Sequence, residues 1–527
     1  MKKFLSMALV VCMLLSTLSL AGCGKKEEAS ATQLDIYILD AGYGTEWLNK
    51  VSEEFKAQDW VQEKYPDLSI KIDTNAESSY AEGKITAGAN ANPYDLLFGI
   101  NLQTVYSKRD SNRNTLLLDI SDVYDSEVPG EEVLVKEKML ESAIVANAYT
   151  DISGETAYYA VPWAGGFNGI LYNADKLKEY GEVPVTTDEL LAVMKEITAK
   201  EGYSIMQSCE NSSACYWEHL YPIWWAQYEG YDNYMSFWEG KVDGEYSVDI
   251  FKQQGRLESL QVLEKVLGSA NKNLYEGANA TAFIDAQTNF LMGQGVFMAN
   301  GDWFDREMSD IKEGLKGEGY DYDIRMMKTP VISSIINKTT TIPDDATLAA
   351  VVKAIDNGEK SYAGVSEEDF QTVAAARQVL YSVGNLHNAV IPSYSGSIEV
   401  AKDFLRFLAT DKANEIYAQE TCGSGMFYKY DMQEVSPELY KSLSGTAKMR
   451  TDFYNDKNFP AIVLPNAQNF NLSIYGGVNM LNATAANQFE ILFNEKKPKT
   501  AQEIFDADIK FWSDSAWSMV LSNIGAK

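Results

Sequence analysis

The chain has 527 residues, 46% of them hydrophobic, 12% aromatic and 23% charged, with 45 basic against 75 acidic side chains. The length fits about three domains or two large ones, each able to bury a core without disulfides or metals, which excludes bulk disorder and coiled coil. A formal net charge of −30 excludes nucleic acid as a partner, because phosphate binding needs a basic surface, and disfavours a polyanionic ligand.

Lys2 and Lys3 precede an apolar run from Phe4 to Leu20, the charged-then-apolar order of a secretory signal. The run is short for a membrane span. It meets Leu20-Ala21-Gly22-Cys23, where small residues before a cysteine resemble the bacterial lipobox. Residues 1–22 are therefore expected to be a signal peptide and Cys23 the lipidated first residue. Two acyl chains suffice for stable attachment, which puts the expected location on the outer face of the bacterial cytoplasmic membrane. Residues 23–33, small and charged without apolar periodicity, read as a flexible tether.

Of the cysteines in the folded part, Cys209 and Cys215 form a Cys-x5-Cys-x3-His pattern with His219, and Cys422 stands apart. A fourth metal ligand is lacking, so a local disulfide or free thiols is the expectation, and no metal or cofactor is expected.

Leu34 to Leu39 reads as a strand, followed by a helix with Trp47, Leu48, Val51 and Phe55 on one face and Thr45 as N-cap. Leu68 to Ile72 and Tyr94 to Ile100 are the next strands, an interval that suggests a parallel α/β sheet. Ala157 to Pro162 and Gly169 to Tyr172 follow as strands. Thr186 and Glu189 form a capping box for a helix carrying Leu190, Met194 and Ile197, closed by Gly202. Leu257, Leu260, Leu263 and Leu267 line another helix. Val296 to Ala299 is a strand opening into Asn300-Gly301-Asp302-Trp303, and Tyr322 to Met327 is the strand after it. Residues 342–384 hold two helical patterns separated by Asp356-Asn357-Gly358 and look like a helical insertion. A helix with Ala401, Phe404, Leu405 and Leu408 begins near Ser397, and a last one runs from about Thr500 to Val520.

From Val161 to Leu190 the chain reads VPWAGGFNGILYNADKLKEYGEVPVTTDEL, with FLMGQGVFMANGDW from Phe290, MMKTPV from Met326 and AKDFLRFLATDKANEIYAQETCGSGM from Ala401 in the same order behind the lipobox. This sequence resembles the family 1 extracellular solute-binding proteins of ABC importers, the sugar-binding group that includes maltose-binding protein. The resemblance implies an α/β, two-lobe, hinged periplasmic-binding-protein-like fold of type II, with ligand in the interlobe cleft. Lobe 1 is expected at 34–160 plus 388–465 and lobe 2 at 161–387 plus 466–527. Crossings are expected near Tyr159 to Trp163, near Leu386 to Pro392 and after Gly425. The implied partners are a neutral sugar or oligosaccharide, the importer's permease subunits and, through lipid, the membrane, with the protein a monomer.

A sugar site needs flat aromatic platforms beside hydrogen-bonding carboxylates and amides. Trp303, next to Asp302 at a strand end, is the leading ligand contact; the alternative is a core tryptophan with Asp302 as an N-cap. Trp163 suits either ligand stacking or hinge packing. Tyr43 and Glu46 occupy a Gly-flanked turn at a helix N-terminus, where Gly42-x-Gly44 lacks the third glycine of a dinucleotide fingerprint. Tyr216 to Trp238 is densely aromatic; its helical spacing points to a core stripe from which Trp217 or Trp224 projects into the cleft. No hydrolase or metalloprotease motif is present, so a binding protein without catalysis is expected. The rivals are a surface-anchored glycoside hydrolase, which needs only two spaced carboxylates, and a receptor for a non-sugar solute such as a peptide.

Overall fold

The computed structural model describes residues 33–106, 108, 114–150, 155–166, 168–209, 216–382, 387–464, 472, 497–512 and 514–526. The expected signal peptide, Cys23, Cys215 and nearly all of the tether lie outside them.

Two five-stranded sheets organise the chain. In the first, Gln33–Leu39 pairs in parallel with Ser69–Asn75 on one side and Leu96–Ile100 on the other. Asn388–Val390 runs antiparallel to Leu96–Ile100, and Val161–Pro162 closes that edge. The alternation of Leu34, Ile36 and Ile38 explains the packing: all three are buried on one face. The helix Glu46–Ala57 covers that face with Trp47, Leu48, Val51 and Phe55, and the helices Ile398–Leu408 and Asp411–Glu420 complete the core with Phe404, Leu408 and Tyr417. Thr45 precedes the first helix but makes no side-chain cap bond, contrary to expectation.

The second sheet is built on Asn168–Asn173, whose six residues are all buried. Phe297–Gly301 and Ile324–Met327 pair antiparallel to it, and Val379–Tyr381 joins through Tyr381 and then pairs in parallel with Ile462–Leu464. The helix Thr187–Glu201 ends at Gly202, whose φ of +93° is the left-handed C-cap that glycine adopts freely. Its expected capping box is half made: the Thr186 hydroxyl accepts from Glu189 N–H at 3.2 Å, but the Glu189 carboxylate takes Val185 N–H instead.

Two expectations shift. The stretch from Ala157 to Pro162 is not one strand: Thr156–Tyr158 pairs with Ala148–Thr150, and only Val161–Pro162 enters the first sheet. An unbroken apolar run does not reveal such a kink. Val161–Pro162 belongs with the first sheet and Ile462–Leu464 with the second. The C-terminal helix is two, Ala501–Phe511 and Asp514–Asn523, broken at Trp512.

The segment expected as an insertion contains the helices Asp345–Asp356 and Glu367–Arg377, separated as its sequence suggests. It is no appendage. Leu348, Val351, Val352, Ile355, Phe370 and Val373 share one core with Trp224 and Trp225 of the helix Tyr221–Glu229.

A candidate ligand cleft at the seam between the lobes

The chain passes between sheets after Pro162, again between Tyr381 and Asn388, and a third time past Tyr428. Tyr428 still bridges to Met139 beside the first lobe, whereas the helix Gly445–Tyr454 packs on Ile324–Met327 of the second sheet. The seam lies where these passages meet.

Its centre is Asp302, just past the end of Phe297–Gly301 and 2% exposed. Tyr43, from the turn before the first lobe's helix, donates its hydroxyl to Asp302 Oδ1 at 2.7 Å. Arg450 Nη1 lies 2.8 Å from Oδ2, and the Ser424 hydroxyl donates to the same oxygen. Gly166 makes room for this hub, since a Cβ there would sit 1.7 Å from Asp302 Oδ1. Burial and then the Asp302 charge push the Tyr43 phenol well above its ordinary range, so it stays a donor. Asp302 is thus not the cap of the next helix; Trp303 holds that position without a side-chain bond.

Trp303 contacts the cores of both lobes and is only partly buried. Its ring meets Tyr43 edge-on at 6.2 Å and Tyr216 edge-on at 5.7 Å between centroids. Gly42 borders it so closely that an added Cβ would lie 3.0 Å from the indole. Outside this pair, Glu46 bridges the lobes to Arg306 at 2.8 Å. Its carboxyl is lowered by its own backbone N–H and by Arg306.

Trp163 stacks on Trp47 at 5.1 Å, and Tyr43 and His387 meet its edge at 5.9 and 5.1 Å. It therefore packs the hinge side of the first lobe, one ring away from Trp303 through Tyr43. Trp217 and Trp224 are fully buried in the second lobe's core, and Trp224 Nε1 donates to the Pro330 carbonyl at 3.1 Å. The structure thus brings Tyr43, Glu46, Trp163, Asp302 and Trp303 together and leaves Trp217 and Trp224 in the core.

The sequence did not single out Gly166, Tyr216, Glu218, Tyr381, Ser424 or Arg450 as site residues. Tyr216 lies within the aromatic stretch already noted, but Ser424 and Arg450 carry no local pattern. Cys209 is disulfide-bonded and Cys422 a free thiol. Bonding of Cys209 withdraws it as a thiolate ligand, and His219 instead joins a ring stack with Tyr216 and Tyr381.

Two α/β lobes joined by crossing segments, with an aromatic seam at the strand ends, define a hinged two-lobe binding protein. The chain belongs to the bacterial extracellular solute-binding proteins, whose family model matches residues 41–415. No curated protein matches it at the sequence level. It is similar in fold to a family 1 extracellular solute-binding protein from Bifidobacterium longum subsp. infantis, with 14% identity and a TM-score of 0.53 over 92% of this chain and 99% of that one. The GacH receptor of Streptomyces glaucescens GLA.O, solved unliganded and with acarbose, gives 14% and 0.53 over 92% and 98%. Maltose-bound T. maritima MalE3 gives 16% and 0.53 over 91% and 98%. No helix among the described residues is long and apolar enough to cross a membrane.

Proposed function

We propose that this solute-binding protein captures a neutral sugar or oligosaccharide between its lobes and delivers it, unreacted, to the permease of an ABC importer. The observation that carries the reading is Trp303: a half-buried ring between two lobes, edged by Tyr43 and Tyr216. Such a ring suits the apolar C–H face of a sugar, and the neighbouring Tyr43 and Glu46 suit its hydroxyls. Fold relatives solved with acarbose, raffinose and maltose support the same class.

The protein acts as a monomer held to the outer face of the membrane by lipid on Cys23. Ligand touching both lobes favours the closed arrangement by the contacts made only there, so closure encodes occupancy as shape. Titration calorimetry with a saccharide panel tests the reading, with chromatography of the recovered sugar. Binding with intact sugar supports it; cleaved products point to a hydrolase, and binding of peptides alone to a peptide receptor.

A further inference from the structure

One cluster at the margin of the second lobe's core sets a carboxyl among aromatic rings. Tyr216 enters the short turn Trp217–His219 with φ of +63°, a left-handed conformation unusual for a residue with a Cβ. The turn aligns three rings: Tyr216 stacks on His219 at 5.7 Å, and His219 on Tyr381 at 6.0 Å. The Tyr216 ring also reaches Trp303 at the seam. Glu218 projects from this same turn. Backbone N–H groups of Tyr216 and Glu218 hold its carboxyl, yet its Oε2 is shielded from solvent and has no hydrogen-bond partner among the described residues. An unsatisfied buried carboxyl oxygen is costly, and such a cost is offset where a ligand supplies the missing donor.

We infer that Glu218 is a ligand-reading residue, whose free Oε2 accepts a hydrogen bond from a hydroxyl of the bound saccharide beside the rings of Tyr216 and Trp303. The inference rests on the saccharide reading above and adds a residue and a proton to it. Burial pushes the Glu218 carboxyl up to about 7. Tyr381 faces it from the second sheet, with Tyr216 and His219 on its own turn. His219 is held neutral by burial, and Glu307 faces Tyr216 from the helix Phe304–Glu307 with its own carboxyl raised by burial. No cation therefore acts on Glu218 from these neighbours. A hydroxyl donating to Oε2 favours the carboxylate, so capture draws the carboxyl pKa down and releases its proton to solvent. Affinity must then rise with pH through the neutral range.

Calorimetry with maltose, raffinose and a chitin oligosaccharide, at about pH 6 and about pH 8 in buffers of different ionisation heat, tests this. The wild type should release a fraction of a proton on binding near pH 7 and bind up to about tenfold more tightly at the higher pH. Glu218→Gln keeps an acceptor for the backbone N–H groups and so should melt no earlier. It should bind at least about tenfold more weakly at the higher pH and release no proton. Unchanged affinity in Glu218→Gln overturns the inference while leaving the saccharide reading intact. Absence of proton release in the wild type overturns it without recourse to the variant. Failure of the wild type to bind any of the three sugars overturns the saccharide reading and this inference together.

Discussion

Tyr43 and Asp302 are 259 residues apart and belong to different lobes, yet the phenol donates to the carboxylate at 2.7 Å. With Ser424 and Arg450 on the other oxygen, one buried carboxylate ties together three separate stretches of chain. The lobes are thus linked by an internal polar clasp.

Asp302→Ala should lower stability by about 3–5 kcal/mol, because it leaves the buried Arg450 charge unpaired. Tyr43→Phe removes a single bond to a charged acceptor, worth about 1.5–3 kcal/mol. Urea melts measure both, and scattering of the ligand-free variants should show a larger radius of gyration. Gly166→Ala should reproduce the Asp302→Ala loss by steric means; a wild-type urea midpoint for Gly166→Ala would refute the tight approach of Gly166 to Asp302.

Trp303→Ala should weaken saccharide binding by about 1.5–3 kcal/mol, the scale of one large apolar side chain, or about 10 to 100-fold. Calorimetry on a variant that melts normally decides the matter. Unaltered affinity would return Trp303 to a packing role.

The chain has two histidines, and burial pushes both His219 and His387 down to about 4 from an ordinary 6.5. Between those values the unfolded chain binds protons that the native one refuses. Each imidazole therefore makes stability fall as pH falls from about 6.5 towards about 4. Glu218, raised to about 7, opposes them by making stability fall as pH rises from about 4.5 to about 7. Imidazole resonances followed by NMR should show neutral rings at pH 5.5 (roughly one unit below the ordinary value); rings already protonated there would contradict the burial.

Cys23→Ala should abolish labelling by a fatty-acid probe and release the protein from the membrane fraction or leave it unprocessed. Retention with labelling unchanged would rule out Cys23 as the anchor.

Much of the fold was legible because periodicity reports one face at a time. Trp47, Leu48, Val51 and Phe55 cover the first sheet as their spacing requires, and Gly202 closes its helix. The helical spacing of Tyr221, Trp224 and Trp225 likewise marked a core stripe, and the part of it expected in the cleft, Trp224, is buried with the rest. The position of Trp303 just past a strand end was legible too. The clasp around Asp302 was not, because Tyr43, Ser424 and Arg450 reach it from distant segments with no shared spacing. Glu218 was hidden for another reason: its environment is set by a left-handed Tyr216 that no residue preference announces.

The second lobe's core draws on Trp224, on the helix Asp345–Asp356 and on Phe505 and Trp517 near the C-terminus, while the first lobe's core waits for Phe404 and Tyr417. The buried pair Arg256 and Asp508 joins residues 252 positions apart. Neither half can therefore mature early during synthesis. Long-range closure of this kind slows folding. A nascent chain of this design stays loose until almost all of it has been made, the condition under which an extracellular protein can be threaded across a membrane before it sets.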